Sequence, residues 1–447
     1  MLTELAVLTK EPRLTENTPT FSRFAPLATK HNLGLVACWL TVLASLLVMA
    51  VTGPKGVDVP QCWTAIQAVH LGGSPYRDGI AALQTFIQQH PQHDHMRAPL
   101  IYWYSPITIP LLKVLGWIPV GILLPLYVLA LAAGYLMQLR AGYLMANKEE
   151  QRWLVWLLPF VAFFPGLLTD MTILSGNIAF LLYGPILWAA ITGWKRERWF
   201  WFYVAVVVAS FFKNPMLTLL AFPVLVGRRQ WVPAIATAVI SLVLFAIQPL
   251  IWPGPYQEYI AAIRMVFAWT CDYGIGPIGL LGKTLWDMHL PCSPATTIAF
   301  LFWALGLGTL LLVIRHRLPR TPICREMWLP LALLGALILS PRIKEYDIMP
   351  LTVPMLLLAV RGLRPLLRKL DGVGFVQIHP GWALAGASIA GFAVSNIIDA
   401  LYGDWVPIEL IVLLAVFALG LYAVLESARD LSTQGQKPLT IEECEAV

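Results

Sequence analysis

Lys213 is the only charged residue between Arg198 and Arg228, in a run that is otherwise apolar or neutral. An ionisable side chain in such a run is costly, so the position reads as functional unless the amine snorkels to the membrane surface. Two further cations, Arg342 and Lys344, stand in Ser340-Pro341-Arg342-Ile343-Lys344-Glu345-Tyr346-Asp347, between two short apolar runs. Asp58 is the carboxylate that could take a proton, since it follows the first apolar run within a few residues. Two positions before Pro60, it equally suits a helix N-cap. One base and two or three cations form a definite chemical kit. The base accepts a proton from an incoming hydroxyl, and the cations hold a phosphate as negative charge develops on it.

The chain that must position these groups has 447 residues, of which 58% are hydrophobic and 13% charged. Its mean hydropathy is +0.69. Soluble domains carry about 25% charged residues, so a soluble fold is excluded and a polytopic membrane protein is expected. The net charge of +6 belongs to loops rather than to a nucleic-acid surface, because the clusters Arg315–Arg320 and Arg361–Lys369 sit between apolar runs. The positive-inside rule places those clusters in the cytoplasm. Residues 1–31 mix both charge signs with prolines and lack the apolar core of a cleavable signal, so the first span is expected to remain as an anchor.

Apolar runs predict spans at 33–52, 101–115, 118–138, 153–168, 172–191, 199–226, 231–251, 295–314, 327–339, 349–360, 382–401 and 405–425, about twelve crossings. With the basic clusters inside, a membrane domain over 33–428 has external loops at about 53–99, 253–294 and 340–347. The tails 1–32 and 429–447 are then cytoplasmic. Counting every run as one crossing would put Lys195-Arg196-Glu197-Arg198 outside. The run 199–226 is therefore read as two half-helices meeting at Lys213-Asn214-Pro215, where proline interrupts the helix. Residues 101–138 then hold one crossing plus a re-entrant piece around Gly116-Trp117-Ile118-Pro119, tolerated where it is buried or lines a wet cavity.

In the first external loop, Trp63, Ile66 and Val69 share one side of a predicted helix over 60–71, with Gln61, Thr64 and Gln67 on another. Gly72 and Gly73 end it. Ile80, Leu83, Phe86 and Ile87 mark a second amphipathic piece stopped by Pro91. His90, His93, Asp94 and His95 have metal-ligating side chains, but a polar turn after Pro91 explains them and no metal is expected. Of six cysteines, Cys62, Cys271 and Cys292 would be external. A bridge among them is open, most simply Cys271 with Cys292.

The order of these features resembles the GT-C superfamily of membrane glycosyltransferases, and most closely the family 87 polyprenol-phosphate-mannose-dependent mannosyltransferases. The matching features are Asp58 in the first external loop, Gly73-Ser74-Pro75-Tyr76 after it, and Tyr104-Ser105-Pro106 where the chain re-enters the membrane. Ser175-Gly176-Asn177 resembles Gly-Gln-x-Asn without its Gln, Lys213-Asn214-Pro215 resembles Lys-x-Pro, and Ser340-Pro341 resembles the Ser-Pro that opens a late external loop. Family members tend to carry His shortly after that Ser-Pro, where Tyr346 and Asp347 stand here.

The resemblance implies an all-α GT-C fold of about twelve transmembrane helices in the plasma (inner) membrane, with its active site on the external, periplasmic side. It implies an inverting enzyme that moves a sugar, mannose in that family, from a polyprenyl-phosphate donor to a lipid or glycan acceptor, without cofactor or metal. Asp58 would be the catalytic base and Lys213, Arg342 and Lys344 would bind the donor phosphate. Tyr76, Tyr104, Asn177, Tyr346 and Asp347 would contact substrate, with Glu345 and Asp347 also able simply to pair with Arg342 and Lys344. The aromatics of 252–294 (Trp252, Tyr256, Tyr259, Phe267, Trp269, Tyr273 and Trp286) suit both interfacial anchoring and a sugar-stacking wall. Partners are membrane lipid, donor and acceptor, and no nucleic acid. The rival reading is a transporter or flippase of a lipid-linked sugar. Transporters favour paired repeats with midplane polar residues, whereas these loops are lopsided and the charges gather toward one face.

Overall fold

A computed structural model describes residues 58–89, 101–151, 154, 176–271, 273–318, 321–370 and 408–433. These are mostly helical and contain no strand, apart from one parallel bridge between Gly274 and Ile343. The helices are α1 (Asp58–His70), α2 (Arg77–Gln89), α3 (Ile109–Leu115), α4 (Val120–Tyr143), α5 (Ala179–Arg196), α6 (Phe200–Phe212), α7 (Ala221–Val226) and α8 (Trp231–Ala246). They continue as α9 (Pro253–Thr270), α10 (Pro277–Asp287), α11 (Ser293–Arg317), α12 (Pro322–Ile338), α13 (Glu345–Ile348), α14 (Thr352–Leu370) and α15 (Ile408–Thr433).

Among the described residues, four helices are long and apolar enough to cross a bilayer: Val120–Tyr143, Trp231–Ile251, Ser293–Arg317 and Leu410–Arg429. The protein is an all-α membrane protein. The expected spans 33–52 and 382–401, and most of 153–168, lie outside the described residues, as do His90, His93, Asp94 and His95.

The largest core joins α4, α5, α6, α7, α12, α14 and α15. Its centre is α12, where Leu329 and Leu331 to Leu334 are all buried, the mark of a helix apolar on every side. Helices α4 and α5 meet backbone to backbone. A Cβ on Gly184 would stand 2.5 Å from the Gly134 carbonyl oxygen, so only glycine permits this approach.

A smaller core gathers α1, α2, α3 and α9 around Ala65, Ile66, Tyr76, Tyr102 and Tyr259. The helical period is as expected, but the buried stripe of α1 is rotated. Gln61 faces inward and donates to the Ile101 carbonyl, while Trp63 is half-exposed. One buried amide bond to a carbonyl left by the incoming chain turns the helix by about one position.

The re-entrant piece around Gly116 is a short helix, α3, and a turn, with the full-length α4 starting at Val120. Two expected loops are helical instead. Residues 253–294 fold largely into α9 and α10, and the basic stretch from Arg361 continues α14.

Candidate functional site

The run 199–226 breaks where Pro215 removes an amide. Helix α6 ends at Phe212, Lys213 is extended at φ −145° and ψ 92°, and residues Asn214–Leu220 continue as a 3-10 helix. The break aims the amine away from the helix axis and toward the segment after α12. There Asp347, 1% exposed, receives it: the Lys213 ammonium pairs with Asp347 Oδ1.

Asp347 holds this place through its own short helix. It is the third residue of α13, and its Oδ2 accepts from the Lys344 amide at 2.9 Å, half of a capping box. Tyr183, on α5, donates its hydroxyl to Oδ1 at 2.9 Å. The carboxylate is thus met from α5, from the α6 break and from its own backbone.

The other cations gather beside this pair. Arg342 and Lys344 both lie close enough to act electrostatically on Lys213. The Arg342 guanidinium stands 4.6 Å over the Trp103 ring and 5.9 Å from that of Phe267, and Lys213 Nζ lies 4.0 Å from the centre of the Tyr346 ring. Aromatic faces attract cations without neutralising them. The described side chains of this cluster therefore carry three cations and one carboxylate.

The Ser340–Asp347 segment is fixed to its surroundings by main chain. The Ile275 amide donates to the Ile343 carbonyl at 2.7 Å, and Gly274 adopts a φ of +79° with no room for a Cβ, which would fall 1.8 Å from that carbonyl oxygen. Only glycine serves there. The strand of chain that carries Gly274 begins at Cys271, which forms a disulfide with Cys292 across a Cα–Cα distance of 6.2 Å. Closing a loop of this size is worth about 3 kcal/mol by chain entropy.

Residues from the segments before α2 and α3 pack beside the cations. Tyr104 is buried, with its ring 5.8 Å from that of Phe212, the residue before Lys213. Tyr76 is fully buried and donates to the Tyr104 carbonyl at 2.6 Å, so it positions Tyr104 and has no surface to offer a ligand. Burial pushes its phenol well above the usual range, and that of Tyr259 up to about 12 despite a hydrogen bond with the Asn214 side chain. That bond ties α9 to the residue next to Lys213. Glu258, also on α9, receives Ser74 and pairs with Arg77 at 3.0 Å. Ser105 donates to Gln248 Oε1 at 2.6 Å, and its amide reaches the Phe211 carbonyl at 3.3 Å.

Asn177 sits at the start of α5, where its Oδ1 accepts from the Ala179 amide at 2.9 Å. It shares that helix with Tyr183. Asp58 is the first residue of α1, and its side chain lies outside the described residues, as does that of Glu345. The structure thus brings together Lys213, Arg342, Lys344, Tyr346 and Asp347, with Tyr104 adjoining. Of the two open partners for Asp347, it shows a third, Lys213.

Sequence reasoning missed Tyr183 and Trp103 as members of the cluster. Trp103 could have been found, since it directly precedes the Tyr104-Ser105-Pro106 motif. Tyr183 gave only a hydroxyl in an apolar run. Among the described residues no group of three metal-ligating side chains occurs. The chain matches no protein-family model, and neither a curated protein nor a solved structure is significantly similar to it.

Proposed function

We propose that the protein is a membrane glycosyltransferase of the GT-C type, with about twelve spans. In this reading it transfers a sugar, mannose by resemblance, from a polyprenyl-phosphate donor to a hydroxyl of a lipid or glycan acceptor at the external face of the plasma membrane. The observation that carries the reading is the meeting of Lys213 with Arg342 and Lys344 around one buried carboxylate, at a break in an apolar run. Three cations gathered at one place, two of them against aromatic faces, suit a phosphate that gains charge as its bond to the sugar breaks. An ammonium carries three N–H donors, so the bond to Asp347 does not exhaust Lys213. The Cys271–Cys292 bridge supports the external side, because disulfides persist in oxidising compartments.

In the reaction, Asp58 takes the proton of the acceptor hydroxyl as its oxygen attacks the anomeric carbon. The carbon–oxygen bond to phosphate breaks on the opposite face, and polyprenyl phosphate leaves onto the three cations. A single displacement inverts the anomeric centre. Purified protein given polyprenyl-phosphate mannose with label in the sugar tests this: label should leave the donor, and should not in Asp58→Asn, which keeps the size of the side chain but cannot accept a proton. Label that crosses a vesicle bilayer with the donor intact would establish a flippase and overturn the transferase.

A further inference from the structure

Away from the cation cluster, the surface between the 3-10 segment with α7, α8 and α11 forms an apolar groove of 390 Å³. Its walls include Leu220, Val224, Trp231, Ile235, Gly308 and Leu312. That volume lies in the range of ligand sites, about 300–1,000 Å³. No polar side chain lines it, so a chain of methylenes fits and a sugar does not.

One end of the groove is strongly basic. Arg228 and Arg229 are exposed in the turn between α7 and α8, the two helices that wall it, and Arg229 holds a left-handed φ of 49°. Arg315 comes from the opposite wall, one turn past Leu311 and Leu312. Its guanidinium bonds the Val224 carbonyl and, at 2.8 Å, that of Gly227, which pins its charge at the mouth. Arg317 follows, exposed, at the end of α11. Neither the stretch 199–231 nor α11 contains a single Asp or Glu. The half-exposed to exposed ring of Trp231 stands beside this end, at the level where indoles meet headgroups.

We infer that this groove holds one acyl chain of an anionic phospholipid, whose phosphate rests on Arg228 and Arg229. The lipid comes from the leaflet on the basic face, the cytoplasmic one by the positive-inside rule, where arginines near the surface attract anionic headgroups. The basic end decides the occupant. A polyprenyl donor bound at Lys213 would carry its phosphate at the Leu217 and Leu339 end, away from the Arg228 and Arg229 turn. The site is separate from the proposed transfer chemistry, so binding is measured without reference to activity.

The full-length protein, purified in detergent, is titrated with phosphatidylglycerol or phosphatidylcholine of identical chains, and bound lipid is counted by native mass spectrometry. Each arginine contributes about a fivefold change in affinity, so phosphatidylglycerol should bind roughly 25-fold tighter than phosphatidylcholine, and Arg228→Ala with Arg229→Ala should remove that preference. Gly308→Phe should abolish retention of phosphatidylglycerol, since a side chain added there meets nothing within 4 Å and extends into the groove. Gly306→Phe, on the same helix and equally uncrowded but outside the groove, should bind as the native chain does. The exposed arginine pair carries the test should the groove-filling variant fail to fold. Equal binding of the two lipids, or phosphatidylglycerol binding undiminished in a folded Gly308→Phe protein, would overturn the inference. So would displacement of phosphatidylglycerol by polyprenyl phosphate at equal concentration, which would make the groove a donor-tail site.

Discussion

Two buried carboxylates are built in the same way and finished differently. Glu150 is the third residue of a helix that starts at Lys148, and the residue before that helix, Asn147, exchanges two bonds with it: the Glu150 amide to Asn147 Oδ1 at 2.8 Å, and the Asn147 amide to Glu150 Oε2 at 2.9 Å. Asp347 occupies the same place in α13 and binds the Lys344 amide. Each carboxylate then meets a cation from a distant helix. For Glu150 the cation is Arg361, whose planar fork bonds both oxygens at 2.8 Å and also reaches the Glu326 carbonyl at 3.0 Å. For Asp347 it is Lys213, a point charge, with Arg342 and Lys344 crowding near. The first arrangement matches one charge with one and satisfies both groups. The second sets three described cations, Lys213, Arg342 and Lys344, beside one described carboxylate. The comparison separates a two-group lock from a cluster of several charges, the one proposed to receive an anion.

Breaking the lock should have the largest effect on stability. Arg361→Ala leaves Glu150 buried without its partner and should cost about 3–5 kcal/mol, read as a marked fall in Tm. An unchanged Tm would return the pair to a surface role. Arg342→Ala should instead lower kcat/KM for transfer by roughly 10²-fold, with Tm close to native, because charge on the leaving phosphate grows toward the transition state. Arg342→Lys should fall between, since lysine keeps the charge and loses the fork. Equal damage to Tm in both regions would erase the distinction between them.

Lys213→Met should weaken donor binding by roughly tenfold and leave acceptor binding alone, as removal of one charged hydrogen bond to phosphate predicts. The same change strands Asp347, so adding Asp347→Asn should restore Tm without restoring donor affinity. Recovery of both would place Lys213 outside the site.

The smallest effect concerns pH. Burial alone would raise the Glu150 carboxyl, but its bonds to Arg361 and the charge of that guanidinium outweigh burial and hold it below the ordinary range. A depressed folded value stabilises fully above the unfolded value near 4.5 and is lost as pH falls through the lower, folded one. Tm should therefore drop in that acidic window. Glu150→Gln, already less stable at neutral pH, should show a shallower drop there; a curve parallel to the native one would remove Glu150 as its source.

The amino-acid sequence alone determined what local composition can determine. Apolar runs specified a membrane protein, Pro215 specified the break beside Lys213, and the spacing of Cys271 and Cys292 allowed the bridge that forms. These follow from hydropathy, a missing amide and a short loop, each confined to neighbouring residues. The rotation of α1 was beyond that reach, because Gln61 is turned inward by a carbonyl 40 residues away. So was the difference between the two carboxylates. Asp347 finds Lys213 at a separation of 134 residues and Tyr183 at 164, and Glu150 finds Arg361 at 211. In one dimension each is an acid with a lysine two or three positions before it, Lys148 before Glu150 and Lys344 before Asp347. Which cation faces each acid, and how many others gather beside it, depends on how α5, α6 and α14 pack, and only the tertiary structure decides that.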